Sequence, residues 1–315
     1  MKIIDHESIV AAKIAPLEAY EWVKEVLAQK PSLVLPPKVS MHTGEHIFYN
    51  VMPCILPNED RMGVKIITRH PEKTSGPNLT SQILIYELSS GSLLAVLDGS
   101  YITAMRTGAV AAHSAYLFAN QDFSSVGMLG LGVTAAATME ILSAIEPERD
   151  IKVNLLRYKH QAESFCSRFQ SGANLHFCIY DTPEEVIRAS EVIISCVTFM
   201  DHNFAEDNTY QPGCTVIPVH SMGFQNCDLF FDKVFVDDIA HVRDFKYFEK
   251  FKALSEVSAV LRGESMGREH PDQRILVYNV GLAIHDIYFA NKMLDRVKQA
   301  EEKDFNGPLE KMWMK

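Results

Sequence analysis

Hydrophobic and polar positions change their spacing along the chain, so that two kinds of pattern follow one another. Up to about residue 120, a helical repeat is followed by short runs typical of β-strands and then by an alanine-rich helix. The predicted elements are a helix over residues 16–30, strands over 46–51, 63–68, 82–87 and 93–97, and a helix over 103–119. This part of the chain therefore predicts a mixed domain of helices and strands.

From about residue 124, short apolar strands alternate with helices of about ten residues. The strand sequences are SSVGMLG, KVNLLR, LHFCIY, EVIISCV and CTVIPV. Such alternation indicates βαβ units and a parallel sheet. From residue 275, the strand sequence ILVYNV leads into a long amphipathic helix, which we expect to pack back on the first domain. The prediction is an α/β protein, with a doubly wound domain over 121–274 and an α+β domain built from 1–120 and 275–315.

A glycine turn joins the first of these strands to its helix. Gly130-Leu131-Gly132-Val133-Thr134-Ala135 fits the pattern GxGxxA in the required strand–turn–helix context. The first glycine allows the tight turn, the second lets backbone N–H groups approach a diphosphate, and Ala135 permits close helix–strand packing. A glycine turn without a ligand is the alternative, but the α/β elements that follow favour a Rossmann-type dinucleotide site formed by Gly130, Gly132, Val133, Thr134 and Ala135.

The end of the second strand of this domain bears on which dinucleotide is bound. An NAD site usually places a carboxylate there for the ribose 2′-hydroxyl, but Asp150 precedes the strand. The strand ends instead with Arg157 and Lys159, two cations that suit a 2′-phosphate. Alternatively, both side chains only lie in solvent at the corner between this strand and the next helix. We predict that NADP(H) is preferred and that NAD(H) is possible.

Composition and charge exclude several classes of partner. The 315 residues carry 30 Lys and Arg against 40 Asp and Glu, giving a net charge of −10. This balance argues against nucleic-acid and membrane-surface binding, which need a dense basic surface. No apolar stretch approaches the about 20 residues that span a bilayer, and no signal peptide is recognisable. The six cysteines show no CxxC pairing and no metal-like spacing, so we expect a cytoplasmic protein without a metal site.

Two cations stand in apolar surroundings in the first domain. Lys65 lies within the strand sequence GVKII, and Arg106 lies near the start of the alanine-rich helix. A strand lysine can simply extend its ammonium to solvent. Alternatively, a desolvated lysine can move a proton or hold a carboxylate, and an arginine offers a planar fork to a carboxylate.

Motifs along nearly the whole chain resemble the ornithine cyclodeaminase/mu-crystallin family. They are PPKVS, MP at residues 52–53, VKIITRHP, GSLLAVLDGSYITAMRTGAVAA, GLGVTA, LRGESMGR and YNVGLAIHD, in the family's order. The resemblance implies a substrate and dimerisation domain completed by the C-terminal helix, a Rossmann domain, and NAD(P)-dependent chemistry on imines or α-amino acids at the cleft between them. It also implies a homodimer.

The resemblance assigns roles residue by residue. Lys65 matches the active-site lysine and Arg106 the carboxylate-binding arginine, while Lys38 stands where the family usually has a second substrate-binding arginine. The cofactor contacts implied are Val197 and Thr198 after the fourth strand, Val280 near the nicotinamide, and Arg157 as in NADP-dependent members.

Two departures from the family pattern concern the reaction. Met222 replaces the aspartate that handles the ornithine side chain in cyclodeaminases, and Asn50 replaces their glutamate before MP. Without these carboxylates the ring-closing attack loses its base. His220 can substitute as a titrating catalytic group near neutral pH, or it can be a structural hydrogen-bonding residue.

These features predict an NAD(P)H-dependent reductase of an imine derived from an α-keto acid or a cyclic amino acid. The substrate is expected to carry a carboxylate. Ornithine cyclodeaminase, an amino-acid or opine-type dehydrogenase, and a ligand-binding protein without turnover are the alternatives.

Overall fold

The computed structural model describes residues 1–44, 46–71, 75–169, 174–298 and 300–304. Its strands are β1 (Lys2–Ile4), β2 (Val39–His42), β3 (Phe48–Leu56), β4 (Arg61–Arg69), β5 (Leu79–Glu87), β6 (Leu93–Asp98), β7 (Ser125–Leu129), β8 (Ile151–Leu156), β9 (Leu175–Tyr180), β10 (Val192–Ser195), β11 (Thr215–Pro218), β12 (Lys233–Val236), β13 (Ser255–Glu256), β14 (Ile275–Tyr278) and β15 (Glu301–Glu302). Its α-helices are α1 (His6–Ala12), α2 (Pro16–Ala28), α3 (Ser100–Phe118), α4 (Val133–Ile145), α5 (Gln161–Arg168), α6 (Pro183–Arg188), α7 (Cys227–Phe230), α8 (Val257–Leu261) and α9 (Ala283–Arg296).

The first of two compact units contains Met1–Ile14, Ser32–Thr103 and the chain from Ala283 onward. Its sheet has the order β15-β1-β6-β5-β4-β3-β2, and all neighbouring strands are antiparallel except β1 and β6. Side chains of β4 alternate between buried and half-buried positions, as expected for a sheet with one covered face. Helix α9 covers the buried face. A Cβ added to Gly63 would lie 2.7 Å from Cδ1 of Ile287, so the strand and the helix pack closely.

Strand β3 is longer than the sequence predicted. It continues through Pro53 to Leu56 because β4 pairs with it over its whole length, whereas β2 pairs only with residues 48–51 on the other side. A proline is tolerated there, since its missing N–H costs no ladder hydrogen bond.

The second unit contains Ala15–Pro31 and Ala104–Leu282. Its eight strands are all parallel, in the order β13-β12-β14-β11-β10-β7-β8-β9. Strands β10, β11, β12 and β14 are buried at every position, which is typical of a parallel sheet covered on both faces. Read from β9 to β11, five strands have the 3-2-1-4-5 order of the Rossmann fold, and the sixth place is taken by β14, which follows β12 and β13 in the chain. The predicted fold class is confirmed.

The two units divide the chain at other positions than the predicted domains. Strand β14 lies between β11 and β12 in the parallel sheet, whereas the sequence prediction grouped residue 275 onward with the first domain. Most of α3 also belongs to the second unit, because it packs closely on α4. A Cβ added to Gly108 would lie 2.7 Å from the amide nitrogen of Thr138. The limits of the functional domains stay a prediction.

Candidate active site

The glycine turn between β7 and α4 is tightly packed at one glycine and open at the other. Gly130 has a φ of +83°, and a Cβ added to it would lie 2.7 Å from the amide nitrogen of Val197. A Cβ added to Gly132, the N-cap of α4, would meet no described atom within 4 Å. Ala135 is fully buried. The fold therefore requires Gly130, whereas Gly132 borders the open space before the positive end of α4, where a diphosphate would bind.

Val197, Thr198 and Val280 follow strands of the parallel sheet at its carboxyl edge. The amide of Cys196 donates to the carbonyl of Leu129 at 2.7 Å, which holds the residues after β10 against the glycine turn. The strand order reverses between β7 and β10. Ligands of open α/β sheets bind at this edge, beside such a reversal. The residues predicted to contact the dinucleotide are thus gathered where the fold would hold it.

Arg157, just after β8, is engaged by two carboxylates. It forms ion pairs with Glu163 on α5 and, at 2.8 Å, with Asp181 after β9. The hydrogen bond to Asp181 and the charge of Glu163 raise the pKa of Arg157. The expectation of no carboxylate at this corner is wrong, because α5 brings Glu163 back to it from six residues away and the sheet brings Asp181 from twenty-four residues away.

Lys159 faces a different environment. It borders a cavity of about 370 Å³ next to the glycine-turn residue Leu131, and His160 and Arg168 also line this cavity. None of the described residues lining it is acidic. The cavity can accept an anion beside the glycine turn, and Arg157 is not among its lining residues.

Lys65 and Asp286 form a fully buried ion pair in the first unit. Nζ of Lys65 lies 2.7 Å from Oδ1 of Asp286, and neither side chain is exposed to solvent. Lys65 lies on the face of β4 covered by α9, opposite Met52 of β3 and Ile83 of β5. The lysine is therefore held by the packed interior, contrary to the alternative of an ammonium extended to solvent.

Asn50 lies on the same sheet face as Lys65, one diagonal position away. It pairs with Ile67, while Lys65 pairs with Met52, and such diagonal neighbours are within reach of long side chains. Its buried Oδ1 atom has no hydrogen-bond partner among the described residues. A buried acceptor of this kind suits an N–H donor from a ligand. Lys38 is half-buried directly before β2.

Arg106 is almost completely buried on α3, with 6% of its surface exposed. Its guanidinium lies against Gly281, where an added Cβ would be 3.2 Å from Nη1. The amide of Gly281 donates to Oδ2 of Asp237 at 2.8 Å. The backbone after β14 is thus shaped to leave space for this arginine.

His220 and Met222 follow β11. Nε2 of His220 lies 2.6 Å from Oγ of Ser195, and the Met222 amide donates to Nδ1 at 3.4 Å. The proton of the neutral ring is then on Nε2, so the ring donates to Ser195 and does not activate its hydroxyl. Burial lowers the pKa of His220 to about 4, which favours the structural hydrogen-bonding alternative over a group that titrates near neutral pH.

Met222 is 43% exposed and lines a cavity of about 430 Å³. The same cavity contains Asp201, whose carboxylate lies 2.6 Å from Nδ1 of His202. A carboxylate is therefore present near Met222, supplied by the loop after β10, and no motif in the sequence indicates it.

Sequence reasoning also missed Asp286 and Asp237, the partners of Lys65 and of the Gly281 amide. A signal was available for Asp286, because an aspartate flanked by Ile284 and Ile287 interrupts the apolar face of a helix. Such a residue is rarely buried unless it is paired. No such signal singles out Asp237, because the adjacent Asp238 is the same residue type in the same sequence context.

The described residues hold no group of three or more His, Cys, Asp or Glu side chains arranged for a metal ion. Among the same residues, none of the helices is long and apolar enough to cross a membrane.

The sequence model of the ornithine cyclodeaminase/mu-crystallin family matches residues 2–301 of the chain. The chain belongs to this family. The predicted resemblance is thereby confirmed over nearly the whole sequence.

Curated proteins similar to the chain have different names. The nodulation efficiency protein NfeD of Rhizobium meliloti is 24% identical over 278 residues, covering 84% of each chain. A Δ1-pyrroline-2-carboxylate reductase of Bacillus cereus is 25% identical over 270 residues, covering 78% of this chain and 80% of the relative. The ketimine reductase mu-crystallin of Mus musculus is 29% identical over 200 residues, covering 62% of this chain and 61% of the relative.

Two solved structures share the fold over nearly their full length. One is the Δ1-pyrroline-2-carboxylate reductase of Thermococcus litoralis in complex with NADH and L-proline. It has a TM-score of 0.83 and 21% identity, and the match covers 94% of this chain and 97% of that structure. The other is an archaeal alanine dehydrogenase dimer with bound NAD. It has a TM-score of 0.83 and 21% identity, and the match covers 97% of this chain and 99% of that structure.

Proposed function

We propose that the protein is an NAD(P)H-dependent reductase of an imine derived from an α-keto acid, such as a cyclic ketimine. The relatives named as Δ1-pyrroline-2-carboxylate reductase and ketimine reductase support this class of reaction. The observation that carries the choice of reduction over cyclisation is the pair of side chains after β11. Met222 has no ionisable group, and His220 is neutral at pH 7 because burial lowers its pKa to about 4.

The reaction adds a hydride to the imine carbon and a proton to the nitrogen, so that C=N becomes CH–NH. A nicotinamide bound at the carboxyl edge of the parallel sheet would supply the hydride, held by Thr198, Val197 and Val280. Arg106 and Lys38 bind the substrate carboxylate. Lys65 supplies an ammonium for the same carboxylate or for proton transfer, and Oδ1 of Asn50 accepts the N–H of the protonated imine.

NADP(H) is the proposed preferred cofactor, with NAD(H) as the weaker one. The acid-free cavity lined by Lys159, His160 and Arg168 supports this preference, because a 2′-phosphate is a dianion that needs local cations. Arg157 has a smaller share in the proposal than the sequence suggested, since Glu163 and Asp181 already neutralise it.

A homodimer is proposed through the sheet face of the first unit that lies opposite α9. Many apolar side chains on this outer face are only half-buried, among them Val51, Pro53, Ile55, Met62, Val64, Ile66, Leu84, Tyr86, Leu94 and Val96. Among the described residues of this unit, the other complete α-helix is the short α1, which lies next to β6 and α9. A contiguous apolar face of this kind marks an association surface.

The test is consumption of NADPH with Δ1-pyrroline-2-carboxylate and its six-membered homologue, alongside pyruvate mixed with amines. Reduction of a cyclic ketimine to the amino acid is the expected result. Binding of NADPH without turnover on any of these compounds would contradict the reductase proposal and favour a ligand-binding protein.

Ornithine provides the second arm of this test, because Asp201 lines the cavity beside Met222. A cyclodeaminase would release ammonia and form proline from ornithine. We expect neither product, since the carboxylate of Asp201 is paired with His202. Formation of both products would overturn the interpretation of Met222. A cytoplasmic location is proposed with this metabolic role.

A further inference from the structure

The ion pair of Lys65 and Asp286 joins two elements that are far apart in sequence. Lys65 is on β4 and Asp286 on α9, and their charged atoms are 2.7 Å apart with no exposure to solvent. A buried pair of this kind is costly to form, because both ions lose their hydration. Apolar residues at both positions would serve packing alone at least as well. The contribution of the ion pair to folding stability therefore does not by itself explain why these two residues are present.

The carboxylate fixes both the charge and the place of the lysine. If Lys65 lost its proton, Asp286 would be left as a buried charge without its cationic neighbour, which is strongly unfavourable. Asp286 also influences its surroundings: burial, followed by the charge of Asp286, raises the pKa of the Cys54 thiol on β3. A lysine held in this way is a fixed ammonium between β4 and α9.

We propose that Asp286 is the positioning residue of the active site, holding the Lys65 ammonium where it meets the substrate. The proposal rests on the proposed function for the contact between Lys65 and substrate. It deepens that function by choosing between the two roles left open for the lysine. Lys65 acts as a permanently charged donor that orients the substrate carboxylate, and Asp286 maintains that charge.

A matched control exists on the same two elements. Nε of Arg61 on β4 donates to Oδ1 of Asn291 on α9 at 2.8 Å. Asn291→Ala removes a polar contact between β4 and α9 without touching Lys65. The activity of this variant therefore shows how much the loss of a structural contact between β4 and α9 affects the enzyme.

The first experiment compares steady-state kinetics with Δ1-pyrroline-2-carboxylate and NADPH. Asp286→Asn keeps the shape but removes the charge, and we expect KM for the imine to rise about tenfold and kcat to fall by about 100-fold, because the ammonium is misplaced. Asp286→Glu should recover part of this loss. NADPH affinity should stay within about twofold in all variants, because none of the proposed dinucleotide contacts is changed.

Asn291→Ala should keep the wild-type kcat and KM. Wild-type kinetics in Asp286→Asn, or an equal loss of activity in Asn291→Ala, would overturn the proposal. Far-UV circular dichroism and NADPH binding establish that each variant is folded, and Asp286→Glu serves if Asp286→Asn does not fold.

A second measurement does not depend on turnover. In protein labelled with 15N-lysine, a buried ammonium gives a slowly exchanging NH3+ resonance, which is assigned to Lys65 by its absence from Lys65→Met. The resonance should disappear or shift in Asp286→Asn and persist in Asn291→Ala. If it is unchanged in Asp286→Asn, the inference fails even where the enzyme is active. If it depends on Asp286 while wild-type protein reduces no imine, the pairing stands and the proposed reaction fails.

Discussion

The guanidinium of Arg106 lies directly against the backbone of Gly281. A Cβ added to Gly281 would be 3.2 Å from Nη1 and 3.4 Å from Nη2 of this arginine. The glycine also has a φ of +88°, and its amide is held by Asp237. The segment after β14 thus fixes the place of a nearly buried arginine that has a proposed role in binding the substrate carboxylate.

Gly281→Ala should therefore raise KM for the imine substrate. The added methyl group pushes the guanidinium away, and we expect an increase of about tenfold, equivalent to roughly 1.4 kcal/mol of lost binding. Gly263→Ala is the control, because Gly263 has a φ of +72° but an added Cβ would meet no described atom within 4 Å. Both variants carry the backbone strain, so an equal KM in the two would contradict the role given to Arg106.

The two glycines of the turn after β7 should respond differently to alanine. Gly130→Ala would drive a methyl group into the Val197 amide at 2.7 Å, so we expect a loss of stability of about 2 kcal/mol or more together with lost NADPH binding. Gly132→Ala meets open space, and its unfolding free energy should stay within about 0.5 kcal/mol of wild type.

NADPH affinity of Gly132→Ala should nevertheless fall, because the methyl group occupies the place of the diphosphate. Urea unfolding and cofactor fluorescence separate the two effects. Wild-type NADPH affinity in Gly132→Ala would place the dinucleotide elsewhere.

Cofactor preference provides a third prediction. Arg168→Ala and Lys159→Ala should each weaken NADPH by about tenfold and NADH by no more than about twofold, because only NADPH carries the 2′-phosphate. Arg157→Ala should have a smaller effect on NADPH, since this arginine is paired with Glu163 and Asp181. The test is to measure the dissociation constants of NADPH and NADH for each variant. Equal weakening of NADH and NADPH by Arg168→Ala would contradict the proposed phosphate site.

Asp228 should make stability depend on pH. Tyr278 donates its hydroxyl to Oδ1 of Asp228 at 2.8 Å, and burial raises the pKa of this carboxyl from 3.8 to about 7. The folded chain then binds more protons than the unfolded chain between about pH 4 and 7. The free energy of unfolding therefore falls as pH rises through this range, by up to about 4 kcal/mol.

Urea unfolding of wild type and Asp228→Asn at pH 5 and pH 7.5 checks this prediction. The difference between the two proteins must be used, because His113 and His220, whose pKa values burial lowers to about 4, act in the opposite direction. Asp228→Asn should gain stability relative to wild type as pH rises. A constant difference across the range would show that the carboxyl titrates normally when folded.

The outer sheet face should control the oligomeric state. Val64→Lys places a charge at the centre of this half-buried apolar face and should give a monomer, because the charge would be desolvated in a dimer. Gln82→Lys, on the same face at an exposed position, should keep the wild-type state. Sedimentation velocity distinguishes the outcomes. A wild-type monomer, or an unchanged dimer in Val64→Lys, would contradict the proposed interface.

Much of the second unit was predictable because its signals are local. A glycine turn needs six consecutive residues, and apolar strands alternating with helices identify themselves by length and composition. Strand β14 was predicted as a strand, yet its place between β11 and β12 depends on pairing with residues some sixty and forty positions earlier in the sequence. Pairing between distant strands leaves no mark in a local pattern.

The charges of the candidate site show the same limit. Arg157 was recognised as a cation after β8, but the acids that neutralise it come from α5 and from the end of β9. His220 was recognised as a titratable group, but the burial that lowers its pKa is a property of the packed chain. Residue type is local, whereas charge state depends on what the fold brings near.

The acidic balance of −10, the glycine turn, the family resemblance and the candidate cations Lys38, Lys65 and Arg106 can all be read from the sequence. The pairing of Lys65 with Asp286, the contact of Arg106 with Gly281 and the cavity without acidic lining residues beside Lys159 become visible only in the folded chain. A charged group acts through its burial and through partners within a few ångströms. For Lys65 and Arg106 those partners are distant in sequence, and folding alone brings them together.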